Sequence, residues 1–221
     1  MQKKGSEIPF PWPPGPGGRV PNLAPEFVKD VSERIGLAFV SDGRGDLKKT
    51  FGPEDIFHYI YAVFHSPAYR SRYAEFLKID FPRVPVTSDR ALFARLARLG
   101  AELARLHLLE ADLDEGELPG FPVQGDCSVE KPRYVAPRPG RGGHPGRVYM
   151  NKTQYFEGIG QETWDFHVGG YQVLEKWLKD RKGRTLSLED ISHYRRVAAA
   201  LARTIGLMTE IDRAIPAWPI E

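Results

Sequence analysis

Residues 88–107, SDRALFARLARLGAELARLH, decide the fold class, because they form one long amphipathic helical pattern. The apolar seam along this pattern consists of Leu92, Leu96, Leu99, Leu103 and Leu106. Alternating steps of four and three residues predict a narrow stripe that packs lengthwise against one neighbouring helix. We expect Ser88 to cap this helix, and the arginines off the seam to form a solvated face.

Other segments show helical periodicity and carry helix start signals. Pro25 and Pro53 suit the first helical position, where the missing backbone N–H costs no hydrogen bond. Near the C-terminus we expect one helix from about residue 171 to residue 181 and another that begins at Ser187. Ser187 and Asp190 form a pair like a capping box at the start of the last helix. Helices should therefore dominate the fold.

The remaining pattern predicts strands and long loops. RVYMNKTQYFEG (147–158) is typical of two short strands around an Asn-Lys-Thr turn. Two prolines should keep IDFPRVPV (79–86) extended, and residues 111–146 are first acidic and then rich in Pro and Gly. The predicted fold class is α+β, predominantly helical, with one small β-sheet and long Pro/Gly-rich loops.

The predicted organisation has four stretches. They are a Pro/Gly-rich arm (1–22), a helical part with the leucine seam (23–110), a loop-rich linker (111–146) and a small β element with the C-terminal helices (147–221). The arm has too many prolines for regular structure, and we expect Phe10 and Trp12 to anchor it. The second and fourth stretches should pack together as one compact domain.

The bulk composition excludes several classes of protein. The chain of 221 residues has a formal net charge of +2, so a basic surface for an acidic partner must be local. Cys127 is the only cysteine, which excludes an internal disulfide and predicts a reducing, cytoplasmic location. No apolar run is long enough to span a membrane, and the N-terminal MQKKGSEIPF lacks the apolar core of a signal peptide.

The sequence lacks the residue constellations that catalysis or metal binding needs. It contains no Asn-Pro-Pro-aromatic or Asp-Pro-Pro-aromatic loop for amine methylation. No glycine-rich loop follows a strand and opens a helix to hold phosphate or S-adenosylmethionine. His58 and His65 lack a third ligand, Cys127 has no paired histidine, and the acidic residues of 110–117 resemble a solvated run. We therefore predict no catalytic residue and no metal site.

One segment combines the residue types that DNA recognition uses. WDFHVGGYQVLEKWLKDRKGR (164–184) carries five cations that suit phosphate, namely Lys176, Lys179, Arg181, Lys182 and Arg184. A Gly169–Gly170 turn presents Tyr171 and Gln172, and glutamine can read an adenine edge. Two interpretations of the cations stay open: a phosphate-binding surface, or the solvated face of an ordinary amphipathic helix.

Three stretches resemble one family of enzymes. DIFHYIYAVFHSPAYRSRYAEFLKIDFPRVPV (55–86) is similar to the segment that closes the target-recognition region of adenine-specific DNA methyltransferases, in particular of type ISP restriction-modification enzymes. GRVYMNKTQYFEGI (146–159) resembles a later strand pair of the same proteins, and WDFHVGGYQVLEKWLKDRKGRTLSLEDISHYRRV (164–197) resembles their C-terminal signature. The similarity runs in consistent order over roughly residues 20–212.

The resemblance implies a function for the chain. In that family one polypeptide combines a nuclease, a helicase-like ATPase, an adenine methyltransferase and a C-terminal specificity domain. This chain corresponds to the end of the specificity domain only. S-adenosylmethionine, ATP and Mg²⁺ are then expected in the full-length relatives, and no cofactor is expected in this chain. The implied role is to recognise and position double-stranded DNA without catalysis.

The resemblance and the local cations together select eight candidate DNA-binding residues. These are Lys152, Tyr171, Gln172, Lys176, Lys179, Arg181, Lys182 and Arg184. The alternative function is a protein-interaction or scaffold element. In that case the leucine seam docks a methyltransferase domain or subunit, and the DNA contacts lie elsewhere.

Overall fold

The structure is a computed structural model that describes residues 12, 14–16 and 18–220. Most of the predicted arm, including Phe10, lies outside the described residues. The indole Nε1 of Trp12 donates a hydrogen bond to the Leu23 carbonyl at 2.9 Å, and its ring packs against Phe39 with centroids 5.0 Å apart. Trp12 therefore anchors the arm, as predicted.

The chain divides into two compact units. Unit 1 comprises the described residues up to residue 104 together with residues 208–220, and unit 2 comprises residues 105–207. The boundaries fall within the two longest helices, at other points than the boundaries predicted from the sequence. No described helix is both long and apolar enough to cross a membrane.

The described part of unit 1 is mainly helical and contains one pair of short parallel strands. Its elements are α1 (Pro25–Ile35), β1 (Ala38–Phe39), β2 (Thr50–Phe51), α2 (Pro53–His65), α3 (Pro67–Arg72), α4 (Phe76–Ile79) and most of α5 (Arg90–His107). Proline opens α1, α2 and α3, because its fixed φ suits the first helical turn. Residues 80–87 contain no helix or strand, as their two prolines predict.

The start of α5 corrects one prediction. Asp89, and not Ser88, caps this helix: its Oδ1 accepts hydrogen bonds from the backbone N–H groups of Ala91 at 2.7 Å and Leu92 at 3.2 Å. A carboxylate at this position satisfies free N–H groups and also interacts favourably with the positive end of the helix dipole.

The leucine seam of α5 is confirmed at four of its five positions. The buried members are Leu92, Leu96, Leu103 and Leu106. Leu99 is only partly buried. Beside the seam, Gly100 lies against the backbone of α2, where a Cβ atom would come within 1.8 Å of the His58 carbonyl oxygen. Glycine therefore permits the close approach of these two helices.

Unit 2 combines a three-stranded sheet, a hairpin and helices. After α5 it contains a 3₁₀-helix (Glu115–Glu117), β3 (Arg133–Val135), β4 (Arg147–Tyr149), β5 (Tyr155–Glu157), α6 (Gln161–Trp164), β6 (His167–Val168), β7 (Tyr171–Gln172), α7 (Val173–Lys179) and α8 (Leu188–Ala214). The two strands predicted within 147–158 are confirmed. Strand β3 was not predicted and lies in the stretch assigned to a linker.

The three-stranded sheet has the order β3-β4-β5 and is antiparallel throughout. Its inner face carries Tyr134, Val148 and Phe156, which lie side by side in register and pack into the core of unit 2. Phe156 packs against Tyr194 of α8 with ring centroids 4.3 Å apart, and Tyr134 stacks on Trp164 at 5.6 Å. Alternate residues of each strand therefore form an outer face.

The fold class α+β is confirmed, with two corrections. The described residues form three small sheets and not one. Tyr171 and Gln172 belong to strand β7, so α7 begins at Val173. The last predicted helix is confirmed, together with its cap: Ser187 Oγ accepts a hydrogen bond from the Asp190 N–H at 3.1 Å, and the Asp190 carboxylate accepts one from the Ser187 N–H at 3.0 Å.

Candidate nucleic-acid interface

The β6–β7 hairpin presents Tyr171 to solvent but uses Gln172 within the fold. Gly169 turns the chain at a φ of 60°, a left-handed conformation that glycine adopts without strain. Tyr171 is 63% exposed. The Nε2 of Gln172 donates a hydrogen bond to the Trp164 carbonyl at 2.5 Å. Because a bidentate contact with adenine needs both amide atoms, this hydrogen bond has to break before Gln172 can read a base in that way.

The lysines of α7 form ion pairs on their own helix. Lys176 pairs with Asp180, and its ammonium also lies 5.6 Å from the centroid of the Tyr171 ring. Lys179 pairs with Glu175 at 2.7 Å. Both pairs have the i,i+4 spacing, at which exposed helix pairs contribute about 0.3–0.5 kcal/mol. The charges of these two lysines are therefore partly neutralised by their neighbours.

Arg181 is also occupied within the fold. Its guanidinium lies 3.5 Å from the centroid of the Trp177 ring and donates a hydrogen bond to the Trp177 carbonyl at 3.1 Å. Its Nε lies 3.8 Å from the Asp190 carboxylate. The pKa of Asp190 is lowered, chiefly by the hydrogen bond from the Ser187 backbone N–H and to a smaller extent by Arg181. Arg181 therefore covers an indole and faces an ionised carboxylate.

Three candidate cations have no ion pair among the described residues: Lys152, Lys182 and Arg184. All three are exposed. They lie in or beside two turns, and we call them the turn cluster. A solvent-exposed cation without an ion pair gives up no protein contact when it binds a phosphate. These three residues can therefore bind a phosphate at a lower cost than the paired cations of α7.

Backbone hydrogen bonds bring the two turns to opposite sides of residues 128–130. On one side, the N–H of Val129 donates to the Arg184 carbonyl at 2.9 Å. On the other side, the N–H of Glu130 donates to the Met150 carbonyl at 2.8 Å. Adjacent extended segments are spaced about 4.8 Å apart, so the backbones of Arg184 and Met150 lie about 10 Å apart across this segment. The two turns that carry the turn cluster are therefore close together.

Buried amides fix the turn that carries Lys152. The Oδ1 of Asn151 accepts a hydrogen bond from the Gln154 backbone N–H at 2.7 Å, and its Nδ2 donates to the Ser128 carbonyl at 3.0 Å. Gln154 is 1% exposed. Its Oε1 accepts hydrogen bonds from the Cys127 N–H at 2.8 Å and from the Asn151 Nδ2 at 3.0 Å. Lys152 is therefore displayed on a rigid turn.

The residues considered as ligands or nucleophiles do not assemble into a reactive site. Among the described residues, no group of three or more His, Cys, Asp or Glu side chains could hold a metal ion. The Sγ of Cys127 lies 3.5 Å from the Gln154 amide nitrogen. Burial lowers the pKa of both His58 and His65, which favours their neutral forms.

A second group of cations lies on the outer face of the three-stranded sheet, and the sequence prediction did not include it. The Arg133 guanidinium lies 4.4 Å from the centroid of the Tyr149 ring, and that of Arg147 lies 4.4 Å from the centroid of the Tyr155 ring. The sequence does carry a signal for this group, because residues 131–156 contain no Asp or Glu. Of the six cations in this segment, only Lys152 is among the predicted candidates.

The described part of the chain displays exposed cations without ion pairs in or beside two turns, and such a surface suits an anionic partner. The family comparison specifies the class. The profile of the Type ISP C-terminal specificity domain matches residues 2–210, so the chain belongs to that family. The resemblance found in the sequence is thereby confirmed. A search of curated proteins gave no match.

Three solved structures contain a similar fold. A nuclease-deletion mutant of the Type ISP enzyme LlaGI, in complex with a DNA substrate mimic, is 22% identical with a TM-score of 0.52, over 76% of this chain and 16% of that chain. The ATP-dependent Type ISP enzyme LlaBIII bound to DNA is 20% identical with a TM-score of 0.52, over 76% and 12%. The DrdV–DNA complex is 26% identical with a TM-score of 0.54, over 89% and 20%. This chain therefore spans between 12% and 20% of their lengths.

Proposed function

We propose that this chain recognises and positions double-stranded DNA for a Type ISP restriction-modification enzyme and has no catalytic activity of its own. The observation that carries this proposal is the family match over residues 2–210, because a specificity domain selects the target of its enzyme. The similar structures of LlaGI, LlaBIII and DrdV are complexes with DNA or a DNA mimic, which supports duplex DNA as the partner. The expected location is cytoplasmic.

The turn cluster is the part of the predicted site that best suits the DNA backbone. Its three cations are exposed and unpaired among the described residues. Lys176 and Lys179 would first have to leave their carboxylates, and Arg181 would have to leave Trp177. Phosphate contacts position a protein on the duplex without reading its sequence. We therefore expect the turn cluster to set affinity and the salt dependence of binding.

Fluorescence anisotropy with labelled duplex DNA over a range of salt concentrations tests this function. The double variant Lys182→Ala/Arg184→Ala should flatten the slope of log K against log salt by up to about 1.8, since each phosphate contact contributes about 0.9. The matched control, Lys176→Ala/Lys179→Ala, removes the same charge from paired residues and should keep the parent slope. If the parent chain binds no duplex at low salt, the proposed function is wrong.

The proposed absence of catalysis includes an absence of cofactor binding. S-adenosylmethionine, ATP and Mg²⁺ would act elsewhere in the full-length enzyme, because this sequence lacks a glycine-rich loop that opens a helix. Calorimetric titration of the chain with S-adenosylmethionine should give no binding isotherm. A micromolar isotherm would contradict this part of the proposal.

The alternative function is docking of a methyltransferase domain. An exposed apolar surface beside a cleft favours it, and the predicted leucine seam does not. Most of the leucine seam is buried within the chain. By contrast, Phe76, Ile79 and Phe81 are 67%, 82% and 90% exposed beside a cleft of about 610 Å³. Grouped, exposed apolar side chains mark interaction surfaces. If this surface docks that domain, Phe81→Ser should abolish the calorimetric signal with a Type ISP methyltransferase domain and leave DNA binding unchanged.

A further inference from the structure

The positive charge of the chain is concentrated in residues 131–156. This segment contains six of the 31 Lys and Arg residues and none of the 29 Asp and Glu residues. The rest of the chain has 25 cations against 29 anions and therefore a formal charge of −4. Residues 164–184 have five cations and three anions, and three of those cations form ion pairs. The strongest local positive charge thus lies on β3–β5 and their connecting loops.

The strand register places a basic and aromatic surface on the outer face of this sheet. Arg133 pairs with Tyr149, and Tyr149 pairs with Tyr155, in one row across the three strands. Arg147 lies in the next row on the same face. The row between them, Tyr134, Val148 and Phe156, points into the core. The arginines and tyrosines therefore point away from the core. We call these four residues the arginine–tyrosine face.

Cation–π contacts hold both guanidinium groups of this face in place. Each arginine lies 4.4 Å from the centroid of its tyrosine ring, and the two tyrosine rings lie 4.9 Å apart. Arg147 also pairs with Glu157 at 3.3 Å, whereas Arg133 is exposed and forms no ion pair among the described residues. A guanidinium stacked on a ring keeps its N–H edge available and loses less freedom when it binds a phosphate.

We propose that the arginine–tyrosine face is a second contact with the DNA backbone, in which Arg133 binds phosphate and Tyr149 positions its guanidinium. This contact rests on the DNA binding proposed above and adds a surface to it. Phosphate is favoured over an unpaired base because the guanidinium groups already cover one side of each ring. Lys152 lies in the turn that joins β4 and β5, at the Arg133 end of the sheet, so this face adjoins the turn cluster.

The decisive variant is Arg133→Ala, measured by anisotropy with a random-sequence duplex at several salt concentrations. It should flatten the slope of log K against log salt by about 0.9, and it should weaken binding about eightfold near 0.1 M salt. Because Arg133 is exposed, circular dichroism should show an unchanged fold. Lys179→Ala is the matched control: it removes one ion-paired cation and should keep the parent slope.

The positioning role of Tyr149 has its own test. Tyr149→Phe retains the ring and should bind DNA as the parent does. Tyr149→Leu removes the ring and should weaken duplex binding. In the Arg133→Ala background, however, Tyr149→Leu should have no further effect, because the two residues act as one unit. If Tyr149→Leu weakens binding equally with and without Arg133, its effect on the sheet is merely structural and the positioning role is wrong.

The remaining outcomes separate this contact from the proposed function. If Lys182→Ala/Arg184→Ala flattens the salt slope and Arg133→Ala does not, the second contact is overturned while the DNA-binding function stands. If the parent chain binds no duplex, both are overturned. If Arg133→Ala weakens binding to single-stranded DNA alone, the face binds unpaired bases on its tyrosines and the backbone contact is overturned.

Discussion

Gln154→Ala should destabilise unit 2 and, with it, the turn that displays Lys152. The side chain of Gln154 is 1% exposed and makes three hydrogen bonds to oxygen or nitrogen, besides a weak one from its Nε2 to the Cys127 Sγ at 3.5 Å. Its Oε1 accepts from the Cys127 N–H and from Asn151 Nδ2, and its Nε2 donates to the Val123 carbonyl at 3.3 Å. Alanine removes all of these hydrogen bonds and leaves the Cys127 N–H without its acceptor.

The magnitude follows from the groups that lose their partners. A shielded donor without an acceptor costs about 1–3 kcal/mol. The buried methylene that alanine lacks adds about 0.8 kcal/mol. Asn151 retains its bond to the Ser128 carbonyl and contributes less. The expected loss of stability is about 2–4 kcal/mol, which corresponds to a fall in Tm of roughly 4–16 °C for a chain of this size.

Thermal denaturation followed by circular dichroism measures this loss. Gln124→Ala is the matched control, because Gln124 is an exposed glutamine in the preceding loop, and its stability should stay within about 0.5 kcal/mol of the parent. If Gln154→Ala has the same Tm as this control, the buried amides do not hold the turn. The rigid display of Lys152 would then be wrong.

Three further predictions concern the packing of the helices and the effect of pH. Leu96→Ala should lower the free energy of unfolding in urea by about 2–5 kcal/mol, because Leu96 is fully buried, and Leu99→Ala should lower it clearly less. Equal losses would contradict the observation that α5 buries Leu96 more fully than Leu99. Gly100→Ala should lower Tm because its Cβ would meet the α2 backbone, whereas Gly206→Ala, with open space around it, should raise stability by up to about 1 kcal/mol. Burial raises the pKa of Tyr59 from 10.0 to about 12. The folded state therefore gains stability below pH 10 from the neutral phenol, and this stability should be lost as the pH rises from 10 to 12. The Tyr59→Phe variant should lose less stability over that range.

The helices were predictable because their signals are local. Proline at the first position of α1 and α2, and the Ser187–Asp190 pair at the start of α8, are readable within a few residues of sequence. The adjacent Ser88 and Asp89 could both cap α5, and the spacing of the seam does not distinguish them. A local signal therefore locates the start of a helix to within a residue without always identifying its cap.

The short strands were harder to predict because pairing defines them. Strand β3 has three residues and is recognisable only by its register with β4, which follows a loop of eleven residues, 136–146. Tyr171 continues the apolar spacing of α7 toward its N-terminus, but Tyr171 and Gln172 pair with Val168 and His167 across the tight turn. In both cases a contact with another segment outweighs the local propensity.

The candidate DNA contacts show which part of an electrostatic surface is readable in a sequence. The pairs Glu175–Lys179 and Lys176–Asp180 have the i,i+4 spacing, so the partial neutralisation of these two lysines could have been predicted. The members of the turn cluster were among the predicted candidates, but the proximity of Lys152 to Lys182 and Arg184 could not be predicted, because it depends on residues 128–130 pairing with distant segments on both sides. The net charge of +2 also conceals a segment of charge +6 within a chain that is otherwise acidic. For a chain of this kind, the distribution of unpaired cations in the fold, and not their number, determines where a phosphate backbone can bind.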